Sequence, residues 1–176
     1  MMRYLRVSLL LLVWLLLGGC RTMHSCSGSG ASYLIVSKQT MSLTLYNGRG
    51  EAVFEYPIAC GLVAGNKVEE GDMRTPEGVF YVQEIRDAAD WKHDFGDGKG
   101  WIAGAYGPYF IRLYTPPHSG IGIHGTHLPS SIGTRATEGC VRLRNEDVQA
   151  LIPYIRVGML VEITPDYRLP QRTSCD

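Results

Sequence analysis

The chain has 176 residues, with 17 Lys+Arg against 17 Asp+Glu and a formal net charge of zero. That length accommodates one domain with a sizeable core, and the balanced charge excludes the basic footprint of a nucleic-acid-binding protein. Its 21 glycines and short, β-branched or aromatic apolar segments favour a loop-rich, mostly β (α+β) architecture.

At the start, Arg3 and Arg6 precede the apolar run Leu9 to Leu17. The run is too short to span a bilayer comfortably, and residues 1–19 read as a secretory signal. It ends Leu17-Gly18-Gly19-Cys20, which resembles the lipobox of bacterial lipoproteins. That resemblance implies cleavage before Cys20 and lipidation of its thiol and amine. The mature chain then has 176 − 19 = 157 residues and 17 − 2 = 15 cations against 17 acids. Stable anchoring takes more than one acyl chain, which a diacylated and N-acylated cysteine supplies. Ordinary secretion or an uncleaved anchor are the other readings, and each places the domain outside the cytoplasm. Residues 20–32 join the lipidated cysteine to a Ser/Gly-rich tether with a mean reach of roughly 20 Å. Arg21, rather than an aspartate, follows Cys20. By the lipoprotein sorting pattern this favours a periplasm-facing anchor in the outer membrane over the inner one.

The folded domain is expected over 33–165, with 166–176 as a tail. Tyr33–Ser37 and Ser42–Tyr46 read as strands, and Asn47-Gly48-Arg49-Gly50 is a turn signal. Ala52–Cys60 is a third strand, which Pro57 assigns to an edge or a bulge. A polar loop over 61–75 leads through Thr75-Pro76-Glu77-Gly78 into a strand over 79–85. Residues 86–107 are rich in Asp, Gly and Trp, and a loop this long is either a lid or substrate wall or a surface excursion pinned by its tryptophans. Strands follow at 109–114 and 120–124. Asn145 reads as the N-cap of a short helix running to Ile152, with Glu146 and Asp147 favourable to its dipole. A final strand is expected over 159–163.

Chemistry gathers in Gly122–Asp147, where His124-Gly125-Thr126 is followed by Thr137-Glu138-Gly139-Cys140-Val141-Arg142. A cysteine attacks as its thiolate, and an imidazole within reach can take the proton. Gly139 lets backbone approach closely and frees its N–H to point inward, where adjacent N–H groups form an oxyanion hole. A buried structural cysteine beside a satisfied histidine has the same spacing. So has a zinc site from His118, His124, His127 and Cys140. Among the other cysteines, Cys60 reads as a small buried hydrophobe. A Cys26–Cys175 disulfide would join two flexible ends, although connectivity is not readable from sequence.

The segment resembles the signature of the L,D-transpeptidase catalytic domain family (YkuD-type): a His-Gly-Thr block, then Ser/Thr-His-Gly-Cys-hydrophobic-Arg. The resemblance extends over most of 33–164, and Glu138 departs from it by replacing the histidine before Gly-Cys. It implies an L,D-transpeptidase-like β-sandwich of mixed sheets with one short helix after the cysteine. It also implies cysteine-dependent acyl transfer on peptidoglycan stem peptides, without metal or cofactor and open to carbapenem inhibition. Cys140 is then the nucleophile and His124 the base, its ring oriented by a neighbouring backbone carbonyl, with Gly125 next door. Gly139 belongs to the catalytic loop. Arg142, Thr126, Thr137 and His127 are the residues expected at the substrate, Arg142 either on a carboxylate or packing the loop.

Three other readings stand beside this one: L,D-carboxypeptidase or endopeptidase hydrolysis of the same bonds, amidase chemistry, and a non-catalytic wall-binding lipoprotein. Glu138 is expected to pair with Arg135, Arg142 or Arg144, because unpaired it would oppose thiolate formation; a solvent-facing carboxylate of no consequence is the other reading. His93 and His118 read as surface or loop-packing residues.

Overall fold

The computed structural model describes residues 30–166. The signal segment, Cys20 and the Cys26–Cys175 pairing lie outside the described residues. β1 (Tyr33–Ser37) and β2 (Ser42–Tyr46) form the first hairpin, with Tyr33 opposite Tyr46. The next turn closes because Asn47 Oδ1 accepts the N–H groups of Arg49 and Glu51, and Gly50 takes φ 77, a conformation that costs glycine little. β3 (Ala52–Pro57) follows.

The remaining strands are β4 (Cys60–Gly61), β5 (Gly78–Asp87), β6 (Lys92–Asp94), β7 (Trp101–Ala103) and β8 (Tyr109–Tyr114), then β9 (Gly122–His124), β10 (Arg135–Thr137), β11 (Val141–Arg142) and β12 (Leu160–Thr164). Helix α1 spans Asn145–Leu151. Eight strands make one mixed sheet in the order β11-β9-β8-β5-β12-β1-β2-β3, while β10-β4 and β6-β7 form two small pairs. β1 runs parallel to β12, and β11 parallel to β9.

The core follows from period-two alternation. Leu34 and Val36 of β1, Leu43 and Leu45 of β2, and Val161 and Ile163 of β12 point to one side and are essentially fully buried. Helix α1 covers that face with Val148 and Leu151, and Leu143 and Ile123 extend the same cluster towards the site. Truncating one such leucine to alanine costs about 2–5 kcal/mol, so this cluster sets the stability of the frame beneath the loop that carries Cys140.

Three sequence expectations are corrected. The strand read over 52–60 breaks at Pro57, which has no N–H for a further ladder bond. β3 ends there at the sheet edge, and the chain leaves to pair β4 with β10. Asn145 is the first residue of α1, not its cap; Arg144 holds the cap position. The side chain of Asn145 is engaged elsewhere, accepting the Thr126 N–H at 2.7 Å. The 86–107 excursion carries its own hairpin, β6–β7.

The loop over 61–77 is pinned by a buried lysine. Lys38 Nζ donates to Glu77 Oε1 at 2.7 Å and to the carbonyls of Gly65 and Thr75 at 2.8 and 3.1 Å. A buried ammonium is tolerated only when its donors are satisfied in this way. The 61–77 loop therefore has a fixed root.

Candidate active site

His124 ends β9, where it faces Phe110 of β8 on one side and Arg142 of β11 on the other. Its ring lies flat against Phe110 (centroids 5.5 Å, interplanar 7°) and meets the edge of Tyr106 at 5.0 Å. Nδ1 lies 2.6 Å from the carbonyl oxygen of Gly125. A carbonyl can only accept, so Nδ1 carries the hydrogen and Nε2 keeps a lone pair. Gly125 is obligatory for a packing reason: a Cβ there would lie 2.3 Å from Asn145 Oδ1. The carbonyl that orients the ring is thus fixed by the helix that follows the cysteine.

Cys140 sits just before β11, in a loop tied by one threonine. Thr137 Oγ1 donates to the Cys140 carbonyl at 2.6 Å and accepts the Gly139 N–H at 3.2 Å. The Gly139 N–H is therefore engaged within the loop rather than free to point at substrate. This corrects the sequence expectation. Gly139 has φ 137, and a Cβ on it would stand 2.8 Å from the Arg74 carbonyl oxygen. Gly139→Ala should therefore cost about 2–4 kcal/mol through strain and overpacking. Urea unfolding checks this, and a midpoint equal to the parent's would show that the loop has slack.

Both side chains open onto one cleft of about 580 Å³. Its floor is Phe110, Arg112, Ile121 and His124. One wall comes from the 61–77 loop through Lys67, Glu70 and Met73, and the other from the 86–107 excursion through Trp91, His93, Phe95 and Tyr106. The thiol of Cys140 donates to Gly120 O at 3.5 Å and not to His124. Burial holds the His124 imidazolium down to about 3, partly offset by the Gly125 carbonyl, with the charges of Arg142, His93 and His127 lowering it further. Burial likewise pushes the Cys140 thiol up to about 11; the Gly122 N–H opposes that rise and the Glu138 carboxylate adds to it. The resting pair is thus a neutral thiol beside a neutral imidazole, because the base is far weaker than the thiolate.

The other expected site residues divide. Thr137 and Arg142 line the cleft with Cys140. Arg142 is 3% exposed, donates from Nη1 to Ser131 Oγ at 2.9 Å and leaves Nε without a partner. Packing of the loop is the part of its expected role that the geometry displays. Thr126 and His127 lie outside the lining. Thr126 Oγ1 is occupied by the Leu128 N–H at 2.8 Å, and the His127 ring lies against Phe95 at 5.2 Å with a 35° tilt. They turn away because the chain leaves β9 into a short 3₁₀ turn at Pro129–Ser131. Among the described residues no group of three or more His, Cys, Asp or Glu is arranged to hold a metal ion.

Glu138 does not pair with an arginine. Its Oε2 lies 2.9 Å from His93 Nε2. Arg135 is committed to Asp166 and to the Gly61 carbonyl, and Arg142 to Ser131. His93, Tyr106 and Trp91 were not legible as cleft residues. Only the length and aromatic content of the 86–107 excursion hinted at a wall.

A family model described as the L,D-transpeptidase catalytic domain, YkuD, matches residues 31–163. The chain belongs to this family. It is 32% identical over 132 residues to the putative L,D-transpeptidase YkuD of Bacillus licheniformis, a match covering 75% of this chain and 65% of that relative. Among solved structures, Bd1075 of Bdellovibrio bacteriovorus superposes with a TM-score of 0.56 at 25% identity, over 78% of this chain and 49% of the other. L,D-transpeptidase 3 of Mycobacterium tuberculosis, solved with a faropenem-derived adduct, gives 0.57 at 17% identity, over 76% and 60%. At that identity the likeness is one of fold. The matches thus span between about half and just under two thirds of these relatives' lengths.

Proposed function

We propose that this protein catalyses acyl transfer on peptidoglycan stem peptides as an L,D-transpeptidase. The observation that supports this best is the shared cleft of Cys140 and His124, with the His124 ring turned by Gly125 so that Nε2 is the free base. A neutral thiol–imidazole pair calls for proton removal in step with attack rather than a preformed thiolate. The thiol rotates from Gly120 towards His124 Nε2, which accepts its proton as sulfur bonds to the carbonyl carbon of the third stem residue.

The tetrahedral oxyanion needs a donor, and with the Gly139 N–H engaged, the Cys140 N–H is the remaining one of the pair. Collapse breaks the C–N bond to the terminal D-alanine, whose amine takes the proton back from His124. The thioester then passes to an acceptor amine, forming a cross-link or a protein attachment, or to water. Arg142 lines the cleft, where its charge favours a substrate carboxylate.

Incubating the protein with disaccharide-tetrapeptide, with and without an acceptor stem, is expected to give dimers linked through third residues. Loss of D-alanine without dimers would make it an L,D-carboxypeptidase. Neither product, together with no covalent carbapenem adduct on Cys140, would leave a non-catalytic wall-binding protein.

The localisation reading accompanies this one: a signal over 1–19, lipidation at Cys20, and a tether holding the domain over the peptidoglycan in the cell envelope, anchored in the outer membrane. Replacing Cys20 by Ser should block fatty-acid incorporation and leave a longer, unprocessed chain. Radiolabelled palmitate entering the Cys20→Ser protein would overturn it.

A further inference from the structure

The residue two positions before the cysteine presents a charge problem that the fold answers from elsewhere. Glu138 lies in the cleft lining with a half-exposed side chain, and its negative charge disfavours a second negative charge on Cys140. His93, on the β6–β7 excursion and 45 residues earlier, reaches it with Nε2 at 2.9 Å. The opposite ring nitrogen, Nδ1, lies 3.0 Å from the Tyr106 hydroxyl. Phe95 packs edge-on to the same imidazole at 4.5 Å. Tyr106 in turn presses its ring against that of His124 at 5.0 Å. The contacts form one continuous chain, Glu138–His93–Tyr106–His124, and all four residues line the cleft that holds the thiol.

We propose that His93, clamped between Glu138 and Tyr106, is a positioning residue of this active site. It supplies from the excursion the imidazole that the family signature carries directly before Gly-Cys, and it shields Cys140 from the Glu138 carboxylate. In either protonation state a hydrogen on Nε2 can be donated to Glu138, while the ring leaves Tyr106 a fixed partner. The other charged or titratable groups lining the cleft are Arg112 from β8, His124 from β9, Arg142 from β11, and Lys67 and Glu70 from the 61–77 loop, of which Lys67 is held by Asp72 at 2.7 Å. Arg112 is committed to Glu84 at 2.7 Å and Arg142 to Ser131, so His93 is the hydrogen-bond partner that Glu138 has. The inference rests on Cys140 being the nucleophile of the proposed transfer.

The test follows the thiol itself and needs no stem peptide. The full chain is alkylated with iodoacetamide at pH 8, and the rate is read on the Cys140 peptide by mass spectrometry. Well below the thiol's pKa the rate follows the thiolate fraction. His93→Ala should slow it about tenfold, the equivalent of one pH unit from an unshielded like charge. Glu138→Gln should react at least as fast as the parent. The double variant should return to within about twofold of Glu138→Gln alone. His93→Gln keeps a donor and similar bulk, serves if His93→Ala folds poorly, and should lose about threefold.

A tenfold loss that persists in the double variant would make His93 only a latch for the hairpin, and parent rates in both His93 variants would remove it altogether. Either result overturns the proposal. Failure of the stem-peptide assay with these alkylation ratios intact would instead strike the transpeptidase reading alone.

Discussion

Cys140→Ala is expected to abolish both turnover of tetrapeptide stems and covalent capture of a carbapenem, while leaving the thermal unfolding midpoint within a few degrees of the parent. The first half follows from chemistry: a methyl group has no lone pair to attack a carbonyl, and no thioester can form. The second half follows from the surroundings of the thiol. The residue is partly exposed at the cleft, and the hydrogen bond its thiol donates is a 3.5 Å contact to Gly120 O. The loop around it is held by Thr137 and Gly139 rather than by sulfur. Intact protein mass after carbapenem treatment gives the first readout and circular dichroism the second. The other free cysteine among the described residues, Cys60, is fully buried, and burial pushes its thiol up, so it should not substitute. Turnover within tenfold of the parent in the Cys140→Ala protein would remove Cys140 as the nucleophile.

His124→Ala should slow acylation by about 10²–10⁴-fold near neutral pH, the usual worth of a positioned general base. The shifts of the two groups set the pH dependence. With the thiol held up at about 11 and the imidazolium down at about 3, the imidazole is already neutral at pH 7 and the thiol still protonated. The base is therefore available throughout the physiological range, and its contribution is kinetic.

As pH rises towards 11 the thiol ionises unaided, and the gap between parent and His124→Ala should close. Acylation rates at pH 7 and pH 10, with iodoacetamide alkylation as the substrate-independent control, measure this. A His124→Ala protein as fast as the parent at pH 7 would place the base elsewhere. If Glu138→Gln instead lost the neutral-pH activity, Glu138 rather than His124 would be that base.

Much of the frame was readable one residue at a time, because it depends on local rules. Alternation placed β1, β2, β8 and β12 within a residue or so of their observed ends, since period-two burial is written directly into Leu34/Val36, Leu43/Leu45 and Val161/Ile163. Pro57 announced an edge because its missing N–H cannot be satisfied inside a ladder. The His-Gly-Thr block at His124 and the Gly-Cys-Val-Arg block ending at Arg142 carried the family, for motif residues that are neighbours in sequence stay legible in linear order. The carbonyl that orients His124 was anticipated only through the family resemblance, and the structure supplies it from Gly125.

Only the tertiary structure decided who meets whom across long stretches of chain. Glu138 had three arginines close by in sequence, yet its partner is His93, because Arg135 and Arg142 are drawn to Asp166 and Ser131 by the packing of β10 and β11. Asn145 has the composition of a helix cap, but the approach of Thr126, 19 residues away, engages its side chain instead. The direction of the thiol, towards Gly120 rather than His124, is a rotamer outcome that no spacing encodes. Local propensity and periodicity act through neighbours in sequence, whereas side-chain partnership is settled by competition among groups that only the folded sheet brings together.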